Sequence, residues 1–228
     1  MASSISRIRE DFDRIALLTE SHGGSRDTYY KFLLRSIPPH CEKILDIGCG
    51  AGEFTRLLAS SAKSVTGIDL SPQMIRLAEQ QSAGYSNIEY VTDDVMRLSL
   101  PDESYDCVVS IATLHHLPLN EALQKMKNLL KAGGVLVIND LVADAGLADK
   151  AMGVFACGVS VARRVWKTGR IRPPKQLREA WNEHGKGETY LTLDEVKEMC
   201  RQHLPGARIH RHLLWRYTVI WNKSALSQ

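Results

Sequence analysis

The chain has 228 residues, with 29 basic against 26 acidic side chains for a net charge of +3, and 44% of it is apolar. That length suits one domain with decoration, and the composition excludes a disordered or fibrous chain. So small a net charge gives no global case for a nucleic-acid partner. The five cysteines (Cys41, Cys49, Cys107, Cys157, Cys200) are scattered, with no CxxC pair. They predict neither a disulfide scaffold nor a metal site, and suit a reducing, cytoplasmic setting.

At the amino terminus, Ile5, Ile8, Phe12 and Ile15 recur every three or four residues, which predicts an amphipathic helix. Residues 1–40 are expected to form a helical cap ahead of the first strand. Between 43 and 140, apolar runs recur at KILDI, SVTGID, IEYV, YDCVVS and GVLVIND, with helical stretches between most of them. This alternation predicts right-handed βαβ units and a mostly parallel, doubly wound α/β sheet of the Rossmann type. Ser71 before Pro72 reads as a helix cap, and Lys131-Ala-Gly-Gly reads as a glycine-terminated helix end. Residues 141–190 are expected to be a helical lid insertion, and 191–228 a last helix with a closing antiparallel hairpin. Thr192 with Glu195 forms the capping box of that helix. The longest apolar run, 151–162, is too short for the roughly 20 residues of a membrane span.

The sharpest motif is LDIGCGAGEFTRLL at 45–58, where a strand ends at Asp46-Ile47 and Gly48, Gly50 and Gly52 follow before a helix. Glycines there let the backbone turn sharply and let a ligand lie on bare main chain. A dinucleotide fingerprint wants Gly or Ala at the sixth place, but Glu53 stands there and would repel a pyrophosphate. A nucleoside with a cationic end and no phosphate fits better, and S-adenosylmethionine (SAM) is one, with Asp46 beside its charge. Asp69, 21 residues beyond Gly48, is placed to accept hydrogen bonds from ribose hydroxyls. Asp94, with Asp93 as competitor, can take the adenine amino group while Val95 and Met96 sandwich the ring.

Together LDIGCGAG, GIDLSPQMI, DDVMRLSLPDESYDCVVS, IATLHHLP and LLKAGGVLVIND resemble the class I SAM-dependent methyltransferases of the small-molecule branch, in order and spacing over 43–140. The resemblance implies a seven-stranded sheet with an antiparallel last strand. It implies cofactor contacts at Asp46, Gly48, Gly50, Asp69, Leu70, Asp94, Val95 and Ser110, with Cys49 and Gly52 completing the loop. It also implies transfer of a methyl group to O, N or C of a small metabolite such as a natural product, by in-line displacement, leaving S-adenosylhomocysteine.

His115 and His116 stand where a base could take the acceptor's proton, or could simply shape the pocket. Tyr29, Tyr30, Trp181, Trp215, Arg216 and Tyr217 are candidate pocket walls, with interior packing as the ordinary alternative. Residues 163–178 carry seven basic side chains and no acid, directly after the apolar run, so 151–178 suits peripheral membrane contact or cover for a lipid-like acceptor. A membrane-associated lipid or quinone precursor is therefore the second acceptor class, and a non-catalytic SAM-binding scaffold the rival of another kind. A nucleic-acid acceptor is disfavoured, because Ser110-Ile111-Ala112-Thr113 replaces the Asn/Asp-Pro-Pro-aromatic motif of many base-modifying relatives. No acidic metal-ligand set is recognisable, Asn139 and Asp140 alone being weak.

Overall fold

The computed structural model describes residues 2–20, 29–143, 165, 172, 174–212 and 215–224. Most of the predicted lid lies outside them, with the apolar run 151–162, Cys157 and the basic residues Arg163, Arg164, Lys167 and Arg170. The described elements are α1 (Ala2–Glu20), α2 (Tyr30–Leu34), β1 (Cys41–Ile47), α3 (Glu53–Leu58), β2 (Ala62–Asp69), α4 (Pro72–Gln81), β3 (Ile88–Thr92), β4 (Tyr105–Ile111), α5 (Leu119–Leu129), β5 (Leu130–Leu141), α6 (Lys175–Gly185), α7 (Leu193–His203), β6 (Arg208–His212) and β7 (Arg216–Asn222).

Ile44 and Leu45 of β1, Val108 and Val109 of β4, and Leu136 and Val137 of β5 are all fully buried. Consecutive buried residues mean that both faces of these strands are covered, which is why they read as continuous apolar runs. The seven strands lie in the order β3-β2-β1-β4-β5-β7-β6. β7 runs antiparallel to both β5 and β6, and the other pairings are parallel. The helices supply the covering apolar faces. On α5 these are Ala122, Leu123, Met126 and Leu129, and on α4 Met74, Ile75, Leu77 and Ala78.

The caps fall where local chemistry puts them. Ser71 Oγ accepts from the Met74 N–H with Pro72 beginning α4, and Thr192 and Glu195 make the reciprocal capping box of α7. Lys131–Gly134 departs from the sequence reading: α5 stops at Leu129 and Leu130 already belongs to β5. Leu130 is drawn into the ladder opposite Tyr105, and the register then jumps to Cys107 opposite Val135. Gly133, at φ 77°, and Gly134 absorb the surplus residues while exchanging backbone hydrogen bonds with Lys223.

At the carboxyl ends of the strands α1 lies against α4 and α6, through Ile15 and Ala16 on Met74, Leu77 and Ala180. The amphipathic spacing of the first helix thus docks it beside the crevice where open α/β sheets bind ligands. Among the described residues no helix is long and apolar enough to cross a membrane.

Candidate active site

Adjacent strands present the predicted acids at one edge. Asp46 and Ile47 end β1, in register with Gly67 and Ile68 of β2 and with Val109 and Ser110 of β4. The loop then turns through Gly48 (φ 72°), Gly50 (φ 54°) and Gly52 (φ 72°), a left-handed path that glycine takes without a Cβ penalty. At Gly48 the space is filled, since a Cβ there would stand 2.0 Å from Thr113 Oγ1. At Gly50 nothing lies within 4 Å of the Cβ direction, so the bare backbone faces open space.

Asp46 is buried and accepts a 2.7 Å hydrogen bond from Thr55 Oγ1. Burial pushes its pKa up to about 7, the Thr55 hydroxyl pulls it back, and nearby Asp69 raises it further. Asp69 accepts from the N–H of Gly50 at 2.8 Å and of Ser71 at 2.9 Å, so it ties the glycine loop to the head of α4. Burial raises this carboxyl too, against those two N–H donors. Leu70 follows it, half-buried. Asp94 is bonded within its own turn, by the Met96 N–H at 2.9 Å, while Asp93 is exposed and accepts from the Asp94 N–H. Val95 beside them is buried. Ser110 is fully buried, and its Oγ has no hydrogen-bond partner. Cys49 is buried between the two acids, and its thiol is held well above its usual range, chiefly by that burial.

After β4 the chain passes Ala112, at φ 51°, into a short 3-10 turn at Leu114–His116. His115 Nδ1 lies 2.7 Å from Asp140 Oδ1 at the end of β5, and Asp140 Oδ2 accepts the His115 backbone N–H at 3.0 Å. With Nδ1 protonated toward that buried carboxylate, Nε2 keeps its lone pair. His116 stacks at 3.9 Å on His115 and meets Phe12 at 5.6 Å and His184 at 5.0 Å, measured between ring centroids. Burial, with the two neighbouring imidazoles, lowers the His116 pKa to about 3, so this ring is neutral. Its Nδ1 lies 3.0 Å from Glu188 Oε2 without the geometry of a hydrogen bond.

The methyltransferase domain family matches residues 45–138. An uncharacterized methyltransferase of Mycobacterium tuberculosis is 32% identical over 203 residues, covering 85% of this chain and 93% of that one. The chain belongs to the class I SAM-dependent methyltransferases. A second relative, the 2-methyl-6-phytyl-1,4-hydroquinone methyltransferase of Synechocystis, is 37% identical over 109 residues, 47% of this chain and 34% of the relative. Among solved structures, a SAM-dependent methyltransferase from Aquifex aeolicus aligns over 92% of this chain and 98% of its own, with a TM-score of 0.61 at 19% identity. Phosphoethanolamine N-methyltransferase 2 of Haemonchus contortus aligns over 89% of this chain and 46% of its own, with a TM-score of 0.64 at 17% identity. The two structures show the shared fold.

Within this methyltransferase the candidate wall residues divide. Trp181 is 48% exposed, beside Phe12 and His184 near the His turn. Tyr30 packs on Phe54 and reaches Glu53, next to the glycine loop. Arg216 donates to Asn139 Oδ1, and Trp215 turns the last hairpin at φ 57°. Tyr29 stacks on His212, and Tyr217 is fully buried against the α7 side of the core, where packing is the role its place gives it. Sequence reading passed over Phe12, Asp13, Thr113, His184, Glu188 and Tyr190. Asp13 accepts from Ser71 Oγ and the Gln73 N–H, and His184 Nδ1 lies 3.2 Å from Asp11 Oδ2. Each pairing spans tens of residues of sequence, and only the amphipathic spacing of α1 hinted that its residues reach inward.

Proposed function

We propose that this methyltransferase carries a methyl group from SAM to an O, N or C nucleophile of a small metabolite, with His115 as the proton acceptor. The observation that carries the reading is the 2.7 Å contact of His115 Nδ1 with buried Asp140, on a turn packed against the glycine loop through Thr113 and Gly48. When bound, SAM supplies a methyl carbon on a positive sulfur, which the acceptor attacks in line with the departing sulfur. The donor set suits that cofactor. Gly50 offers bare backbone, Ser110 an unpaired hydroxyl, and Asp46 and Asp69 two carboxyls beside the loop for a cation and for ribose hydroxyls.

Asp140 holds the imidazole in the tautomer whose Nε2 accepts a proton, and stabilises the imidazolium once the proton arrives. Tyr190, 5.0 Å from the His115 ring, and His116 restrict its rotation. Residues 1–40 act as a cap and 141–190 as the lid of one catalytic domain spanning 1–228. A reducing, cytoplasmic setting is in keeping with Cys41, Cys49, Cys107 and Cys200, which are unbridged and buried. Relatives named as 2-methyl-6-phytyl-1,4-hydroquinone methyltransferase and demethylmenaquinone methyltransferase support a membrane-associated lipid or quinone precursor as the second acceptor class. Incubating the protein with methyl-labelled SAM and a metabolite extract, then finding the labelled product by mass spectrometry, tests the reading. Labelled product lost in His115→Ala supports it, and full activity in that variant removes the base.

A further inference from the structure

We infer that His115, His116 and Glu188 form a binding site for a zinc-class divalent cation. One nitrogen or oxygen from each of the three side chains lies within 4.8 Å of the others. No metal-ligand spacing marks this cluster in the sequence, because Glu188 reaches the His pair from more than 70 residues downstream.

Three features of the cluster point to a cation. The His116 side chain is 7% exposed, and neither ring nitrogen has a hydrogen-bond partner. A buried imidazole in that condition leaves its polar atoms uncompensated, which native structures rarely tolerate. Glu188, at 9% exposure, sets a carboxylate oxygen 3.0 Å from His116 Nδ1 without the geometry of a hydrogen bond. His115, finally, has its Nδ1 held by Asp140, the outer-shell arrangement that presents Nε2 to a metal. A divalent ion held by the three groups answers all three features at once.

Two imidazoles and one carboxylate favour zinc, cobalt or another borderline ion over magnesium or calcium, which prefer oxygen alone. Three protein ligands leave a position for water or an acceptor hydroxyl. With the ion bound, His115 Nε2 is a ligand, and the acidity of an acceptor hydroxyl is raised by the ion instead. The ion's part in transfer rests on the methyl-transfer reading given above, with the ion taking the place of the His115 base; its binding does not rest on that reading.

The test is titration of the chelator-treated full-length protein with cobalt(II), followed by d–d absorption, and with zinc by calorimetry. One equivalent is expected to bind, weakened about tenfold to a hundredfold in His116→Ala and in Glu188→Gln. His203→Ala on α7 should leave binding unchanged, and the near-isosteric Glu188→Gln, checked by its thermal midpoint, guards against unfolding. No cobalt spectrum and no zinc heat, or equal binding in both ligand variants, overturns the site. Methyl transfer by metal-free protein that binds no ion would remove the site and leave the base standing. Binding lost in the ligand variants, with no transfer in any extract, would uphold the site and tell against the transfer reading.

Discussion

Gly48 and Thr113 interlock: the missing side chain of one is the space filled by the hydroxyl of the other, 2.0 Å from where a Cβ would stand. Thr113 Oγ1 in turn donates to the Ile111 carbonyl at 3.0 Å, so it is anchored and cannot swing away freely. The glycine loop proposed to receive the cofactor and the turn that carries His115 are thereby held as one unit. Gly48→Ala combines a steric clash with a left-handed backbone at φ 72°, and should cost about 2–5 kcal/mol by thermal unfolding.

Gly50→Ala separates binding from stability. Its methyl points into open space, so the fold should lose only about 1–2 kcal/mol through backbone strain. In the proposed site the same methyl would stand on the backbone that faces the cofactor. SAM affinity should fall at least tenfold, about 1.4 kcal/mol, by calorimetry. Unchanged affinity would place the cofactor elsewhere.

Asp46 makes both stability and affinity depend on pH. Its folded pKa is raised from 3.8 to about 7, so between those values the folded protein holds a proton that the unfolded chain releases. Stability from this group is therefore greatest at low pH and declines as pH rises through that window. Asp46→Asn keeps an acceptor for Thr55 and should flatten the decline, raising the thermal midpoint near pH 7.5 relative to pH 5. A cationic ligand beside the carboxylate has the opposite preference. SAM binding to the native protein should tighten from about pH 5.5 to about pH 7, and this dependence should be lost in the Asn variant.

Asp140→Asn tests the imidazole's orientation. The amide cannot hold the same tautomer or stabilise the imidazolium, so kcat should fall by about 10²–10⁴-fold with little change in KM for SAM. A parallel fall in KM and kcat, or a large loss of stability, would identify Asp140 as a structural residue.

Thr192→Ala breaks the capping box of α7, removing the Thr192 hydroxyl from the Glu195 N–H. The expected cost is about 1 kcal/mol, a drop of about 2–4 °C in Tm, with methyl transfer unaffected.

What could be read from the sequence follows the range of the interactions. Buried strands advertise themselves as apolar runs. Ser71-Pro72 and Thr192 with Glu195 are caps made within four residues, and the glycine loop is local geometry written in residue type. Lys131–Gly134 misled because the same glycines that end helices also absorb a strand bulge, and pairing of Leu130 with Tyr105 decided between the two. The His pair was visible as chemistry, but its meaning depends on Asp140, 25 residues on, and on Glu188 and Phe12, which arrive from opposite ends of the chain. Nothing in local pattern joins those positions. Tertiary packing does.

One turn of the first helix has a consequence for how the enzyme can be handled. Asp11 meets His184, Phe12 covers His116, Asp13 holds Ser71 and Gln73, and Arg14 pairs with Glu183. Four consecutive residues thus clasp α4 beside the glycine loop and α6 beside the His turn. Trimming or tagging the amino terminus so that this turn is disturbed would loosen both sides together, so a truncated preparation cannot separate loss of cofactor from loss of acceptor.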